Sequence, residues 1–171
     1  MNDVHYSSAS NNWQTPDWLF QKLNEEFVFE LDAAASNENA KCLRFYTQEI
    51  DALKQEWGKD ANTIYVNPPY GRLVGIFCKK AREQTLKYPN LTVVMLIAAR
   101  PDTRWWHENC APGEVRFLKG RLKFINPSLP SFKTDGDFKM SPAPFPSAII
   151  VLGQKARAGQ TFYVSYKEPK L

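Results

Sequence analysis

Ile64-Tyr65-Val66-Asn67-Pro68-Pro69-Tyr70 is the stretch from which the rest of the chain can be read. Three apolar residues of high strand propensity run into a polar residue, two prolines and an aromatic. The prolines lack an N–H and fix φ, so they cannot continue a ladder and the strand must stop at Asn67. Its carboxyl end then presents the Asn67 amide, the Pro68 carbonyl, Pro69 and the Tyr70 ring, and in open α/β sheets that edge is where ligands bind. An amide oxygen and a backbone carbonyl both accept hydrogen bonds from an –NH2 group, and an aromatic ring stacks on a planar base. A Pro-Pro turn with a packing tyrosine would use the same four residues, so the motif has to be weighed against the rest of the chain.

With 171 residues the chain is long enough for one domain with a sizeable core. Its 43% hydrophobic and 23% charged residues are those of an ordinary globular protein. No apolar run approaches the ~20 residues that span a bilayer, and residues 1–12 are polar, without a basic-then-apolar signal pattern, so an intracellular protein is expected. Cys42, Cys78 and Cys110 are far apart and odd in number, and His5 and His107 are the only histidines. That set predicts neither a metal site nor a disulfide framework, and the cysteines read as small apolar groups. The net charge of +4 is unevenly spread. Residues 1–99 hold 10 Lys+Arg against 12 Asp+Glu and residues 100–171 hold 12 against 6, so a face suited to a polyanion would lie in the second half.

Taken in order, residues 1–12 read as a flexible tail. Trp13-Gln14-Thr15-Pro16 opens a helix, with Thr15 as N-cap, Pro16 at the first position, and Leu19, Phe20, Leu23 and Phe27 on one face. The free N–H groups of that cap suit a carboxylate. Phe27 to Asp32 alternates like a strand and ends in Asp32-Ala33-Ala34-Ala35-Ser36, an acid followed by residues without bulk. Ser36 or Asn37 would cap a short helix, Phe45 to Thr47 would be a brief strand, and Asp51 would open a short helix or turn. An amphipathic helix is predicted from Gly71-Arg72 to about Lys87, stopped by Pro89. Thr92 to Ala98 is continuously apolar, as in a strand covered on both faces, and runs into Arg100 and then a short helix with Trp105, Trp106 and His107. Glu114 to Leu118 is a strand that Gly120 to Phe124 continues after a turn. Residues 126–146 hold five of the twelve prolines and read as a mobile loop near the active edge. Ser147 to Leu152 and Thr161 to Tyr166 complete the strands. Strands alternating with helices predict an α/β fold, a compact single domain with a parallel or mixed sheet.

On that scaffold the order of segments resembles the small phage-type DNA adenine-N6 methyltransferases. The matching pieces are Trp13-x-Thr15-Pro16, the stretch from Phe29 through Asp32-Ala33-Ala34-Ala35-Ser36 to Cys42, Asn67-Pro68-Pro69-Tyr70-Gly71-Arg72, Arg100-x-Asp102-Thr103-x-Trp105-Trp106, and Gly120-Arg121-Leu122-Lys123-Phe124. The resemblance implies a Rossmann-like class I methyltransferase fold over 13–171, a mostly parallel sheet with helices on both faces. It implies S-adenosyl-L-methionine as methyl donor, double-stranded DNA as substrate, and a phage or prophage protein acting in the bacterial host cytoplasm. Asn67, Pro68, Pro69 and Tyr70 would then be catalytic. Trp13, Thr15, Pro16, Asp32, Ala33 and Ala34 would hold the cofactor, with Asp51 toward its adenosine half. Arg72, Arg100, Arg121 and Lys123 would contact DNA. One departure stands out: many methyltransferases have a glycine-rich turn after the first strand, and here Asp32 to Ser36 holds none.

An adenine amine is a poor nucleophile because its lone pair is delocalised into the ring. Hydrogen bonds to Asn67 and the Pro68 carbonyl would favour a tetrahedral nitrogen and stabilise the charge that develops on direct transfer. A duplex adenine must be flipped to reach such a pocket. The motif also looks like that of glutamine and RNA-base N-methyltransferases, and a non-catalytic DNA-binding relative is a further alternative. The remaining length leaves no room for a large recognition domain, so relaxed sequence preference is expected.

Overall fold

The computed structural model describes residues 13–125 and 140–168; the expected tail, 1–12, lies outside them. A seven-stranded sheet is built from β1 (Leu31–Asp32), β2 (Arg44–Phe45), β3 (Thr63–Val66), β4 (Thr92–Ala98), β5 (Glu114–Leu118), β8 (Ser147–Gly153) and β9 (Thr161–Val164). Their spatial order is β2-β1-β3-β4-β8-β5-β9. Every neighbouring pair is parallel except the two that involve β8, which alone runs against the rest. The carboxyl ends of β1, β3, β4, β5 and β9 therefore share one edge. A separate two-stranded ribbon pairs β6 (Lys123–Ile125) with β7 (Met140–Pro142).

The alternation of side chains along the strands explains the two cores. Ile64, Val66, Val93, Met95, Ile97, Ile150 and Leu152 face α3 (Leu73–Lys87), with α2 (Trp57–Asp60) and α4 (Arg104–Asn109) on the same side. Tyr65, Val94, Leu96, Ile149 and Val151 face α1 (Asp17–Phe27) and the inner side of the ribbon. Helices thus cover both faces, as the unbroken apolar run of β4 requires: all seven of its residues are buried. Leu19, Leu23 and Phe27 anchor α1, each side chain worth about 1.5–3 kcal/mol of burial.

Three local expectations change. Phe27 ends α1 instead of starting a strand, because it completes the buried stripe one turn beyond Leu23; Val28 then adopts φ 56 and its N–H bonds Asn24 O at 2.9 Å. The Asn24 side chain accepts from Phe29 N at 2.8 Å, so the strand shrinks to Leu31–Asp32. No helix follows Ser36; the Asn39 side chain accepts from Ser36 N at 2.7 Å and closes a turn. Leu122 to Phe124 does not extend β5. Gly120, at φ 81, reverses the chain so that Leu122 and Phe124 cover the α1 face. Of the stretch 126–146, residues 126–139 lie outside the described residues. Met140–Pro142 forms β7, and Ala143 and Phe145 are buried in the core.

Candidate active site

The decisive feature is how the Asn67 amide is held where β3 stops. Its Nδ2 donates to the Trp13 carbonyl at 2.7 Å, which leaves Oδ1 as the remaining hydrogen-bonding atom. Oδ1 is buried and has no partner among the described residues. An unpaired buried acceptor costs about 1–3 kcal/mol, a cost recovered when a donor arrives. Beside it Pro68 is buried and Pro69 exposed. Gly71, at φ 104, lets the chain turn from the motif into α3. Tyr70 swings inward: its ring stacks on Phe145 (centroids 4.9 Å apart, planes 23° apart) and meets Phe124 edge-on at 5.9 Å. Its hydroxyl is buried without a partner among the described residues, and burial pushes its pKa up.

The entry to α1 is fastened to this edge from two sides. Gln14 exchanges both backbone hydrogen bonds with Ile125 of the ribbon, each at 3.0 Å. Trp13 packs edge-on against Phe124 and Phe145. Thr15 does not cap the helix as expected. Its hydroxyl lies 2.6 Å from the Tyr65 hydroxyl in a buried pair, and Pro16 occupies the cap position instead. Tyr65 gains a polar partner inside the core that way, which a capping threonine could not supply.

At the end of β1, Asp32 is buried and accepts from Ala34 N at 3.2 Å and Lys41 N at 3.1 Å. Burial raises its pKa, with the two N–H groups and the Lys41 charge pulling the other way. The Lys41 ammonium pairs with Asp17 in the first turn of α1. Burial, aided by the Asp32 charge, also pushes the Cys42 thiol up to about 12, so it is an inert group at pH 7. Thr15, Asp32, Ala34, Lys41, Tyr65 and Asn67 line one polar pocket, together with Gln14 and Asn39. The structure thus brings Thr15, Asp32, Ala34 and Asn67 together, with Trp13 joined to them through its hydrogen bond to Asn67, while Pro16, at the cap of α1, is not part of the lining. Ala33 is fully buried in the core on the α3 face. Asp51 lies outside the pocket lining: it caps a 3-10 turn at Ala52–Lys54, accepting from Leu53 N at 3.2 Å and pairing with Lys54 at 3.1 Å. Asn39, Lys41 and Tyr65 were not singled out by sequence reasoning, although Asn39 and Lys41 stand inside the matching stretch and Tyr65 alternates out of phase with Ile64 and Val66.

The four candidate cations are all exposed. Arg72 stands at the cap of α3, beyond β3, and Arg100 just beyond β4, the strand parallel and next to β3, while Arg121 and Lys123 line a second cleft beside β5. His107 sets its ring nitrogen 2.7 Å from the Pro101 carbonyl, far in sequence and role from the motif. Among the described residues no three His, Cys, Asp or Glu side chains cluster as metal ligands, and no helix is long and apolar enough to cross a membrane.

Sequence comparison bears on the same residues. A family model described as DNA N-6-adenine-methyltransferase (Dam) matches residues 5–167. Over 97 residues the chain is 42% identical to the DNA N-6-adenine-methyltransferase of Escherichia phage T1, a match covering 56% of this chain and 39% of that protein. Over 170 residues it is 31% identical to the DNA N-6-adenine-methyltransferase of Haemophilus phage HP1 (strain HP1c1), covering 95% of this chain and 91% of that one. The chain thus spans well under half of the T1 protein and nearly all of the HP1 protein. A family match over residues 5–167, with 31% identity along nearly the whole of the HP1 protein, places the chain in the DNA N-6-adenine-methyltransferase (Dam) family.

Proposed function

We propose that this chain methylates the N6 amine of adenine in double-stranded DNA, using S-adenosyl-L-methionine, in the cytoplasm of a bacterial host. The observation that carries the reading is the unpartnered, buried Oδ1 of Asn67. The Trp13 carbonyl holds the amide so that an acceptor, not a donor, is left for the substrate. An exocyclic –NH2 is the complementary group.

The residues present fit the donor. Each Asp32 oxygen accepts one backbone N–H, and a carboxylate has about four acceptor sites, so capacity remains for the ammonium of an amino acid. Lys41 lines the same pocket, and on exchanging its partner Asp17 its ammonium would meet the cofactor carboxylate. Ala34 keeps the strand end narrow where a glycine stands in many methyltransferases. When bound, S-adenosylmethionine supplies an electrophilic methyl group on sulfur. Asn67 Oδ1 and the Pro68 carbonyl accept from the two amine hydrogens, turn the nitrogen lone pair out of conjugation, and stabilise the positive charge that grows on nitrogen. A group of this kind is worth about 2.7–4 kcal/mol of barrier. Phe145 covers one face of the Tyr70 ring and fixes it, so a base would stack on the other face, and that stacking, worth ~1–3 kcal/mol, would offset part of the few kcal/mol spent on flipping.

We assign the whole activity to one methyltransferase domain, 13–171, with the class I arrangement. What supports it is the motif at the shared carboxyl edge, with helices on both faces of a mostly parallel sheet. Arg72 and Arg100, exposed at that edge, are assigned to the DNA backbone. Incubation with labelled S-adenosylmethionine and unmethylated DNA, followed by nucleoside analysis, tests the reading. Label in N6-methyladenine is the expected result; label only in RNA or in protein glutamine would overturn the substrate, and none at all the reaction.

A further inference from the structure

A second cleft opens on the α1 face of the sheet, about 180 Å³ and continuous with solvent. Trp18, Leu118, Leu122 and Tyr166 form its walls, and among the described residues Lys119, Arg121 and Lys123 bring three cations to it against one acid, Glu168. The three cations are exposed. The Tyr166 wall is fixed from below, since its hydroxyl accepts from Arg116 Nη1 at 3.1 Å. Arg116 is itself locked between Glu26 and Glu114. The Trp18 indole N–H is buried, without a partner among the described residues.

The position of this cleft matters as much as its charge. Leu118 and Lys119 lie at the carboxyl end of β5, and Tyr166 just beyond β9, both parallel to β3. They share the edge that carries Asn67. From β3 the sheet runs three strand steps to β5 and four to β9, which at ~4.8 Å per step is roughly 14–19 Å. Duplex DNA rises ~3.4 Å per base pair, so the separation corresponds to about four to six base pairs. The ribbon joins the two places physically, for Phe124 packs on Trp13 and Tyr70 while its neighbour Lys123 lines the cleft.

We propose that this cleft holds the phosphate backbone of the duplex flanking the flipped adenine, with Lys119 as a phosphate ligand beside Arg121 and Lys123 and with Trp18 and Tyr166 packing on the sugars. The proposal rests on the DNA substrate assigned above. Cations on a solvated groove match a polyanion, and a backbone contact several base pairs from the target fixes the register of the duplex on the protein.

The test is salt-dependent binding, read by fluorescence anisotropy on the full chain. Each phosphate contact contributes about 0.9 to the slope of log K against log[salt], so Lys119→Ala should lower the slope by about one. The triple variant K119A/R121A/K123A should lower it by about 2.7, which makes the affinity lost between 50 and 200 mM salt smaller by about 40-fold. Lys79→Ala, on the opposite face of the sheet, should keep the wild-type slope. On a duplex too short to reach the cleft, about three base pairs on either side of the adenine, wild type and triple variant should coincide. Equal slopes for wild type and triple variant on a long duplex would overturn the cleft, as would a Lys79→Ala loss as large as that of Lys119→Ala. A wild type that shows the cleft-dependent slope but transfers no methyl would overturn the enzyme reading and leave the cleft standing.

Discussion

Asn67 and Trp13, 54 residues apart in sequence, are joined by one hydrogen bond from the Asn67 side chain to the Trp13 carbonyl. That bond ties the strand-end motif to the segment entering α1. It also decides which end of the amide is left over. Trp13 is in turn seated against Phe124 and Phe145, so the aromatic cluster, the ribbon and the motif act as one support.

Asn67→Ala removes the acceptor and the tie together. We expect turnover to fall by at least 10²–10³-fold, the size seen when one preorganised polar group is lost. Unfolding free energy should change by no more than about 1–1.5 kcal/mol, since one hydrogen bond is lost and one unsatisfied oxygen is relieved. Single-turnover kinetics beside urea titration would check this; near-wild-type turnover would refute the role of Asn67.

Tyr70 is a core residue as well as a motif residue, and two substitutions separate the roles. Tyr70→Phe removes a buried hydroxyl that has no partner among the described residues, so stability should hold or rise slightly. Tyr70→Ala leaves a cavity against Phe145 and should cost about 3–5 kcal/mol. In titrations of the folded variant, affinity for DNA should fall more than affinity for the cofactor. Equal losses in both would argue against stacking.

Much of this was legible in the chain, for identifiable reasons. Asn67 to Tyr70 announces itself because two prolines can only end a strand, and Thr92 to Ala98 because only a strand covered on both faces is apolar throughout. The reversal of β8 was not legible: Ser147 to Leu152 looks the same whichever way it runs, since periodicity carries no direction. Thr15 misled because a hydroxyl before Pro16 reads as a cap, and the competing partner, Tyr65, is 50 residues away. Arg116 lay hidden for the same reason. Glu114-Val115-Arg116 reads only as the start of a strand, and tertiary packing of Glu26 against Arg116 is what makes a buried ion network of it.

Asp32 offers a test of the proposed cofactor pocket that does not depend on turnover. In Asp32→Asn the amide nitrogen cannot accept from one of the two backbone N–H groups that the carboxylate now receives. The loss of negative charge also removes the partner for an ammonium. We expect S-adenosylmethionine affinity to fall at least tenfold, about 1.4 kcal/mol, by equilibrium dialysis. An unchanged affinity would place the amino-acid end of the cofactor elsewhere.

The buried network predicts how the fold meets acid. Glu114 is fully buried, and burial alone would push its pKa up. Hydrogen bonds from Arg157 and Arg116, with the Arg116 charge, outweigh that and bring it down to about 2 from an ordinary 4.5. A carboxylate whose pKa is depressed by folding stabilises the native state above its unfolded pKa, and that stability is lost as pH falls. The contribution of Glu114 is therefore complete at pH 7 and disappears between about pH 4.5 and 2. Glu114→Gln should be destabilised at pH 7 by about 3–5 kcal/mol, because Arg116 and Arg157 lose a buried partner. It should also lose less stability than wild type on going to pH 3. Urea titrations of both proteins at pH 7, 4.5 and 3 would show the gap closing with acid; a gap of constant size would mean that the Glu114 charge does not stabilise the fold.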